Sequence, residues 1–395
     1  VKPYFDILIP IKDRAWTLKH TLETVLSQDY PHFRVVISDN CSQDDLQQVL
    51  SQFSDSRLHY VSTEKTIGMY ENFEFALRHG EGDWVAILGA DDGLLPGSLT
   101  RVAEMIQSTD CEAVTGAPAS YFWPNLTPGS KPRLTIPLGS GYEVRELAPL
   151  RDKLTSGRLS FQHFPYLYTG GFVARRAIER GRGQNGRFFQ SIIPDMYSAV
   201  VLSHKLERYV YSRRPLALAG LSATSTGAAY FGITDKSEVR KAFLDEGAIQ
   251  FDPRLGADVP NSIPLMLLDS GLRAQQQLPD MPTPNWERQM ACAVAAEMSL
   301  LKFRGQKRLF QYLGRLLKDP QTRPLAFAAS LPGAFWDFGW ARLASLKRNG
   351  STRCWEGAAG ARNIAEACWV AQGMLAHPES RSLFRTPLLQ HIVKA

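Results

Sequence analysis

The chain has 395 residues, 44% of them hydrophobic and 21% charged, with a formal net charge of +6. This is ordinary globular composition, long enough for two folding units, and the modest charge admits anionic small molecules or headgroups without requiring nucleic acid. The five cysteines (Cys41, Cys111, Cys292, Cys354 and Cys368) are scattered and lack a C-x-x-C pair, which argues against a disulfide framework or zinc centre and suits a reducing cytoplasm.

In chain order, Phe5 to Pro10 reads as a strand. Leu18, Leu22, Val25 and Leu26 then recur at helical spacing up to Tyr30-Pro31. Arg34 to Ser38 is a second strand, leaving through Asp39-Asn40-Cys41-Ser42, and a polar helix is expected over Asp44 to Phe53. A third strand at Leu58 to Val61 and an amphipathic helix after Gly68 lead into Trp84-Val85-Ala86-Ile87-Leu88, an uninterrupted apolar run. Such a run suits a strand buried on both faces of a parallel sheet. Strands alternating with helices at this spacing predict an α/β fold with a mostly parallel central sheet. No signal peptide is read, and no apolar run is long enough to span a bilayer.

Two carboxylates, Asp91 and Asp92, follow the apolar run where open α/β sheets place their ligands, and Pro96 can open the next helix. Adjacent carboxylates suit a hard divalent cation shared with substrate phosphates, although a solvated turn capping a helix is also consistent with the pair. Asp39 leaves strand two in the same manner. It can accept hydrogen bonds from a base N–H or a ribose hydroxyl, or serve as an ordinary turn residue.

Five ordered fragments carry a resemblance. They are Ile9-Pro10-Ile11-Lys12-Asp13-Arg14, Leu26 to Pro31, Ser38 to Ser42, Glu71-Asn72-Phe73, and Leu88 to Gly97. In this order they resemble the family 2 glycosyltransferases of the GT-A fold, a Rossmann-like sheet flanked by helices. The resemblance covers roughly the first 230 residues. It implies an inverting transfer from a nucleoside-diphosphate sugar, UDP-linked by default, with Mn2+ or Mg2+ as cofactor. Pro10, Ile11, Lys12, Arg14 and Asp39 would line the nucleoside pocket, with Asp39 reading the base. Asp92 would hold the cation and Asp91 ribose, sugar or a metal-bound water. Many relatives carry a third Asp where this chain has Ala90, and Asn72 is placed within reach of the donor or as a solvated helix residue.

An inverting displacement needs one general base for the acceptor hydroxyl. Asp195, in Ser191-Ile192-Ile193-Pro194-Asp195-Met196-Tyr197-Ser198, stands at an expected helix N-terminus, which favours an ionised carboxylate and equally an N-cap. The segment resembles the Pro-Asp-x-Tyr stretch that carries the base in part of the family, so Asp195 is assigned that role. Tyr166 to Arg175 reads as a strand whose Gly170 and Gly171 can admit a sugar or another backbone. His163 before it is a competing base or acceptor contact, or a structural residue. Ser222 and Ser225 lie in Ala219 to Gly227, a stretch that resembles a diphosphate- or acceptor-binding loop of similar transferases and has the composition of a flexible linker too.

Past Asp245 six prolines between Pro253 and Pro284 suggest connectors around short helices, and Trp286 to Phe303 reads as a helix. Between Lys302 and Arg348, ten Lys and Arg residues face only Asp319 and Asp337, with aromatics interleaved. That composition fits contact with a membrane interface, a lipid-diphosphate acceptor, or a solvated helical domain. No nucleic-acid motif accompanies it. The expected division is a GT-A catalytic domain over 1–245 and a mainly α-helical domain over 246–395 for acceptor, membrane-surface or oligomer contacts. The expected setting is bacterial surface-glycan assembly, with a glycan or lipid-linked glycan acceptor, in the cytoplasm or peripherally on the inner membrane. Two alternatives stand beside it. One is an inactive GT-A-like binding module, for which Ala90 is a hint. The other is a sugar nucleotidyltransferase, disfavoured because the first strand ends in Pro10 to Arg14 without a glycine-rich phosphate loop.

Overall fold

The computed structural model describes residues 2–124, 126–156, 158–225, 250–256, 259–260, 262–299, 303–319, 322–348 and 352–377, with side chains undescribed at 297, 299, 303–308 and 340–348. The architecture is mixed α/β. Strands β1 (Phe5–Ile11), β2 (Phe33–Asp39), β3 (Leu58–Ser62) and β4 (Trp84–Ile87) are connected by helices α1 (Ala15–Leu26), α2 (Leu46–Leu50) and α3 (Met69–Arg78). They form the parallel half of a sheet ordered β3-β2-β1-β4. The other half is mixed. β10 (Gly171–Ala174) runs antiparallel to β4 and to β6 (Ala113–Gly116), β11 (Arg208–Ser212) is parallel to β6, and β9 (Tyr142–Glu146) closes the edge antiparallel.

Period-two alternation divides the core between the two faces. Phe5, Ile7, Ile9 and Ile11 of β1 pack with Leu18, Leu22 and Val25 of α1, whereas Leu8 packs with Phe73 and Leu77 of α3 on the opposite face. Winding direction reverses between β1 and β4, which opens a crevice at their carboxyl ends. A second sheet, ordered β13-β8-β7-β12-β5, lies beside it. Its members are β5 (Gly93–Leu94), β7 (Ser120–Phe122), β8 (Arg133–Pro137), β12 (Ala217–Leu221) and β13 (Thr352–Glu356). β5 begins immediately after Asp92, so the two carboxylates occupy the link by which the chain passes from one sheet to the other.

Several elements differ from the sequence expectation for physical reasons. The helix expected over 44–53 is the single turn α2, because Asp45 caps it and only Leu46 among its residues is buried. Pro96 stands two residues before α4 (Ser98–Thr109), since Gly97 takes a left-handed conformation (φ 70°) at the helix start. Of the strand expected over Tyr166 to Arg175, only β10 is extended. Gly170 (φ 87°) turns the chain into it, and Arg175 already begins α6 (Arg175–Arg180). The proline-rich stretch holds a long buried helix, α8 (Ile263–Gln277), packed against α7 (Pro194–Lys205). α9 (Trp286–Ser299), α10 (Phe303–Leu316) and α11 (Pro324–Arg348) follow, making this region mainly helical. The chain then returns: β13 pairs antiparallel with β8, and α12 (Ile364–Ala376) packs on α1, β5 and β12. The expected domain boundary near 245 lies outside the described residues.

Candidate functional site

The crevice between β1 and β4 gathers most of the sequence-predicted residues through three interlocked loops. Ile11, the last residue of β1, registers with Asp39 at the end of β2. The loop after β1 is tied to the loop after β2: the Asp13 amide donates to Ser42 Oγ (2.9 Å), the Gln43 amide to Asp13 Oδ1 (2.6 Å), and the Ala15 amide to Asp44 Oδ2 (2.6 Å). Asp39 is buried, accepting from Tyr60 Oη (2.7 Å) and the Ser42 amide (2.9 Å). Its carboxylate is thereby held in place beside the Pro10 to Arg14 loop.

Asp91 and Asp92 are both almost fully buried. Asp92 Oδ1 accepts from the Gly220 amide (2.6 Å), and Oδ2 accepts from the Gly89 amide (2.8 Å) and from the Thr169 hydroxyl. Asp91 Oδ2 accepts from Ser222 Oγ (2.7 Å), while Arg14 Nη1 stands 3.7 Å from Asp91 Oδ1. Arg14 Nη2 also donates to the Thr224 carbonyl (2.7 Å), and the Ser225 amide donates to the Ser222 carbonyl (3.1 Å). The loop carrying Ser222 and Ser225 thus lies over the acid pair, and Thr226 and Gly227 at its end fall outside the described residues. Trp123 Nε1 donates to the Asp91 carbonyl, and Thr21 Oγ1 to the carbonyls of Ala90 and Asp92, which fixes the backbone of the motif.

Burial, reinforced by the neighbouring Asp91 charge, pushes the Asp92 carboxyl up to about 7. Among the described residues two adjacent buried carboxylates have one guanidinium shown beside them, and a hard cation relieves such a concentration of negative charge. Among the described residues no cluster of three or more His, Cys, Asp or Glu side chains forms a cation cage. The donor set fits a divalent ion that takes its remaining oxygens from a diphosphate and water.

Asp195 opens α7, directly after Pro194 at the first helical position. Its Oδ1 accepts from the Met196 amide (2.8 Å), and burial pushes its carboxyl up to about 6. The charges of Asp195 and of the acid pair both act on Tyr168. Burial raises the Tyr168 phenol well above its ordinary value, and the charges of Asp92, Asp91 and Asp195 raise it further, against the opposing field of Arg14. Tyr166 is likewise raised by burial and by the charges of Asp195 and Asp92. Both tyrosines thus feel the charge of Asp195 as well as that of Asp92.

Other predicted residues take different places. Asn72 is buried, and its amide is engaged by β2: Ser38 Oγ donates to Oδ1 (2.6 Å) and Nδ2 donates to the Ser38 carbonyl (3.0 Å). His163 Nδ1 is 2.8 Å from Tyr211 Oη on β11. Gly170 is the left-handed turn before β10, and a Cβ on Gly171 would lie 1.9 Å from the Tyr166 carbonyl oxygen, so that glycine admits backbone. Sequence reading did not single out Thr169, Gly89, Gly220 or Tyr168 as partners of the acid pair. The Tyr-Thr-Gly-Gly run was a signal for two of them; Gly89 lay in the Leu88 to Gly97 fragment and Gly220 in the Ala219 to Gly227 stretch, without a role of their own.

A sheet with carboxylates at its topological switch point, coupled to a second small sheet and helices, defines a GT-A-type transferase fold. Residues 6–180 match the model for glycosyl transferase family 2. Among relatives, TuaG of Bacillus subtilis, named for teichuronic acid biosynthesis, is 30% identical over 112 residues, covering 28% of this chain and 44% of its own. The UDP-Glc:alpha-D-GlcNAc-diphosphoundecaprenol beta-1,3-glucosyltransferase WfaP of Escherichia coli is 26% identical over 117 residues, covering 30% of this chain and 45% of its own. The matched segment therefore spans less than half of each relative. Among solved structures, S. aureus TarS 1–349 in complex with UDP-GlcNAc aligns with a TM-score of 0.44 at 16% identity, over 86% of this chain and 92% of its own.

Proposed function

We propose that the protein is an inverting, divalent-metal-dependent glycosyltransferase. It would move a sugar from a nucleoside diphosphate, UDP by default, to a hydroxyl of a lipid-linked or polysaccharide acceptor in bacterial surface-glycan assembly. The observation that carries this reading is the buried Asp91-Asp92 pair at the β1/β4 switch point, bound through Ser222 and Arg14 to one loop. The names of the relatives, two of which describe transfer to a diphosphoundecaprenol-linked sugar, support the acceptor class.

In this reading Asp39 and the Pro10 to Arg14 loop receive the nucleoside, and Arg14 meets the diphosphate from the side of Asp91. Asp91 and Asp92 would hold Mn2+ or Mg2+, which when bound supplies Lewis-acid stabilisation of the leaving diphosphate. Asp195 takes the proton from the acceptor hydroxyl. Its raised basicity suits that role, since a general base works best with a pKa near the operating pH. Tyr168 and Thr169 exclude water from the face of the acid pair and hold Asp92 in one orientation.

The test is thermal stability against a panel of nucleoside diphosphates, with and without Mn2+ or Mg2+. A ligand that binds only the folded chain raises the melting temperature by mass action. A metal-dependent shift with one nucleotide, abolished in Asp92→Ala, is the expected result. No shift with any nucleotide overturns the reading and favours an inactive binding module.

A further inference from the structure

Over residues 324–336 α11 is uncharged on every face, and among the described residues its packed apolar side chains lie along one side. Inward, Phe327, Leu331, Ala334 and Phe338 pack with Ala291, Cys292 and Ala295 of α9. Outward, at the complementary helical spacing, stand Leu325, Ala328, Ala329, Pro332, Phe335, Trp336 and Gly339. Leu325 is 87% exposed, Trp336 68% and Phe335 40%. Residues 324–336 include no ionisable side chain, and Asp337 is turned inward to Arg158 Nη1 (3.2 Å) and Arg288 Nη2 (2.9 Å). A helix apolar all round belongs in a core or in lipid, and no described helix is long and apolar enough to cross a bilayer.

We propose that this outer face of α11 is a docking surface that lies in the interface of an anionic membrane. Charge selects this occupant over a second copy of the chain. The stretch from Lys302 to Arg348 carries ten basic residues against two acids, and one of those acids is already paired inside. Two copies meeting face to face would bring two strongly basic segments together, whereas anionic headgroups neutralise such a segment. Exposed Trp and Phe on an apolar stretch flanked in sequence by Lys and Arg match the chemistry of helices that lie in the headgroup boundary. Phe310 of α10, 46% exposed, adds a further apolar residue in the same basic stretch. The docking deepens the proposed transfer to a lipid-linked acceptor, and its test requires no catalysis.

The full chain, without donor or metal, is sedimented with vesicles of phosphatidylcholine alone and of phosphatidylcholine with phosphatidylglycerol. Binding is expected to the anionic vesicles, weakening as salt rises, and falling about tenfold or more in Leu325→Asp and in Trp336→Asp. Both positions are exposed, so the variants should keep the wild-type melting temperature and nucleotide-induced shift. Absence of sedimentation at low salt, or undiminished binding by both variants, overturns the proposal. So does a concentration-dependent dimer in light scattering that Trp336→Asp abolishes, since that would assign the face to a second copy. Vesicle binding without any nucleotide shift would refute the transferase reading alone.

Discussion

Asp195→Asn should make the protein more stable and far less active. In the folded chain the Asp195 carboxyl is raised by burial from 3.8 to about 6. A carboxyl raised by folding gives its full stabilisation below the unfolded pKa and loses it as pH climbs through the folded one. The window is therefore from about pH 4 to about pH 6, and at pH 7.5 the ionised group costs up to about 3 kcal/mol, from about 1.4 kcal/mol per unit. Asn removes that charge and keeps an oxygen for the Met196 amide, so denaturant unfolding at pH 7.5 should show a gain of about 1–3 kcal/mol. The gain should vanish below about pH 3, where Asp195 is protonated in both states. In parallel, loss of a general base should lower kcat by about 10²- to 10⁴-fold, with the nucleotide-dependent melting shift retained. The acid limb of the wild-type kcat profile should fall near pH 6. A variant that loses stability at pH 7.5, or retains activity within a few-fold, would refute the argument that a desolvated Asp195 is the base.

Three more outcomes follow from named contacts. A Cβ on Gly220 would stand 1.8 Å from the Asp91 carbonyl oxygen, so Gly220→Ala should displace the acid pair. It should cost about 1–3 kcal/mol in urea unfolding and abolish the metal-dependent nucleotide shift, whereas an unaffected shift would show that the pair does not bind the donor. Asp6, fully buried between Arg34 (2.6 Å) and Arg175 (2.5 Å), should cost about 3–5 kcal/mol on conversion to Asn, because Arg175 loses this carboxylate and Arg34 keeps only the exposed Glu81. That loss should appear in denaturant midpoint without a change in nucleotide specificity. Finally, the Asp92 carboxyl at about 7 makes protons compete with the cation, so metal affinity read by calorimetry should fall as pH drops below 7, approaching about tenfold per unit.

What the sequence made legible was governed by local periodicity and by motif order. β1, β2 and β4 were readable because both their faces are buried, and α1 and α3 because each carries one apolar stripe. Asp39, Asp91 and Asp92 were readable because they sit one step past those strands. The second sheet was not readable. β5 is two residues long, and β7, β8 and β12 acquire partners from segments as far as about 220 residues away in the chain. No local pattern encodes such pairing, and the same limit concealed α8, whose prolines suggested connectors although Pro264 merely occupies its first turn.

The return of the chain after α11 has a consequence for how the site is held. On α12, Cys368 and Ile364 press against Gly93, where a Cβ would meet Cys368 Sγ at 2.7 Å and Ile364 Cγ1 at 2.8 Å. Gly93 directly follows Asp92, and Tyr121 Oη of the second sheet donates to the Ala361 carbonyl (2.9 Å) just before α12. The link bearing the two carboxylates is thus packed from behind by residues more than 270 positions downstream, while Gly220 and Ser222 clamp it from the front. Buried like charges need a rigid frame, because any relaxation that admitted water would return Asp92 toward an ordinary carboxyl and weaken its response to a cation. Truncation before Thr352 should therefore lower metal and nucleotide affinity even though it removes no residue of the crevice, and an unchanged affinity in a folded truncate would show that the front clamp alone suffices.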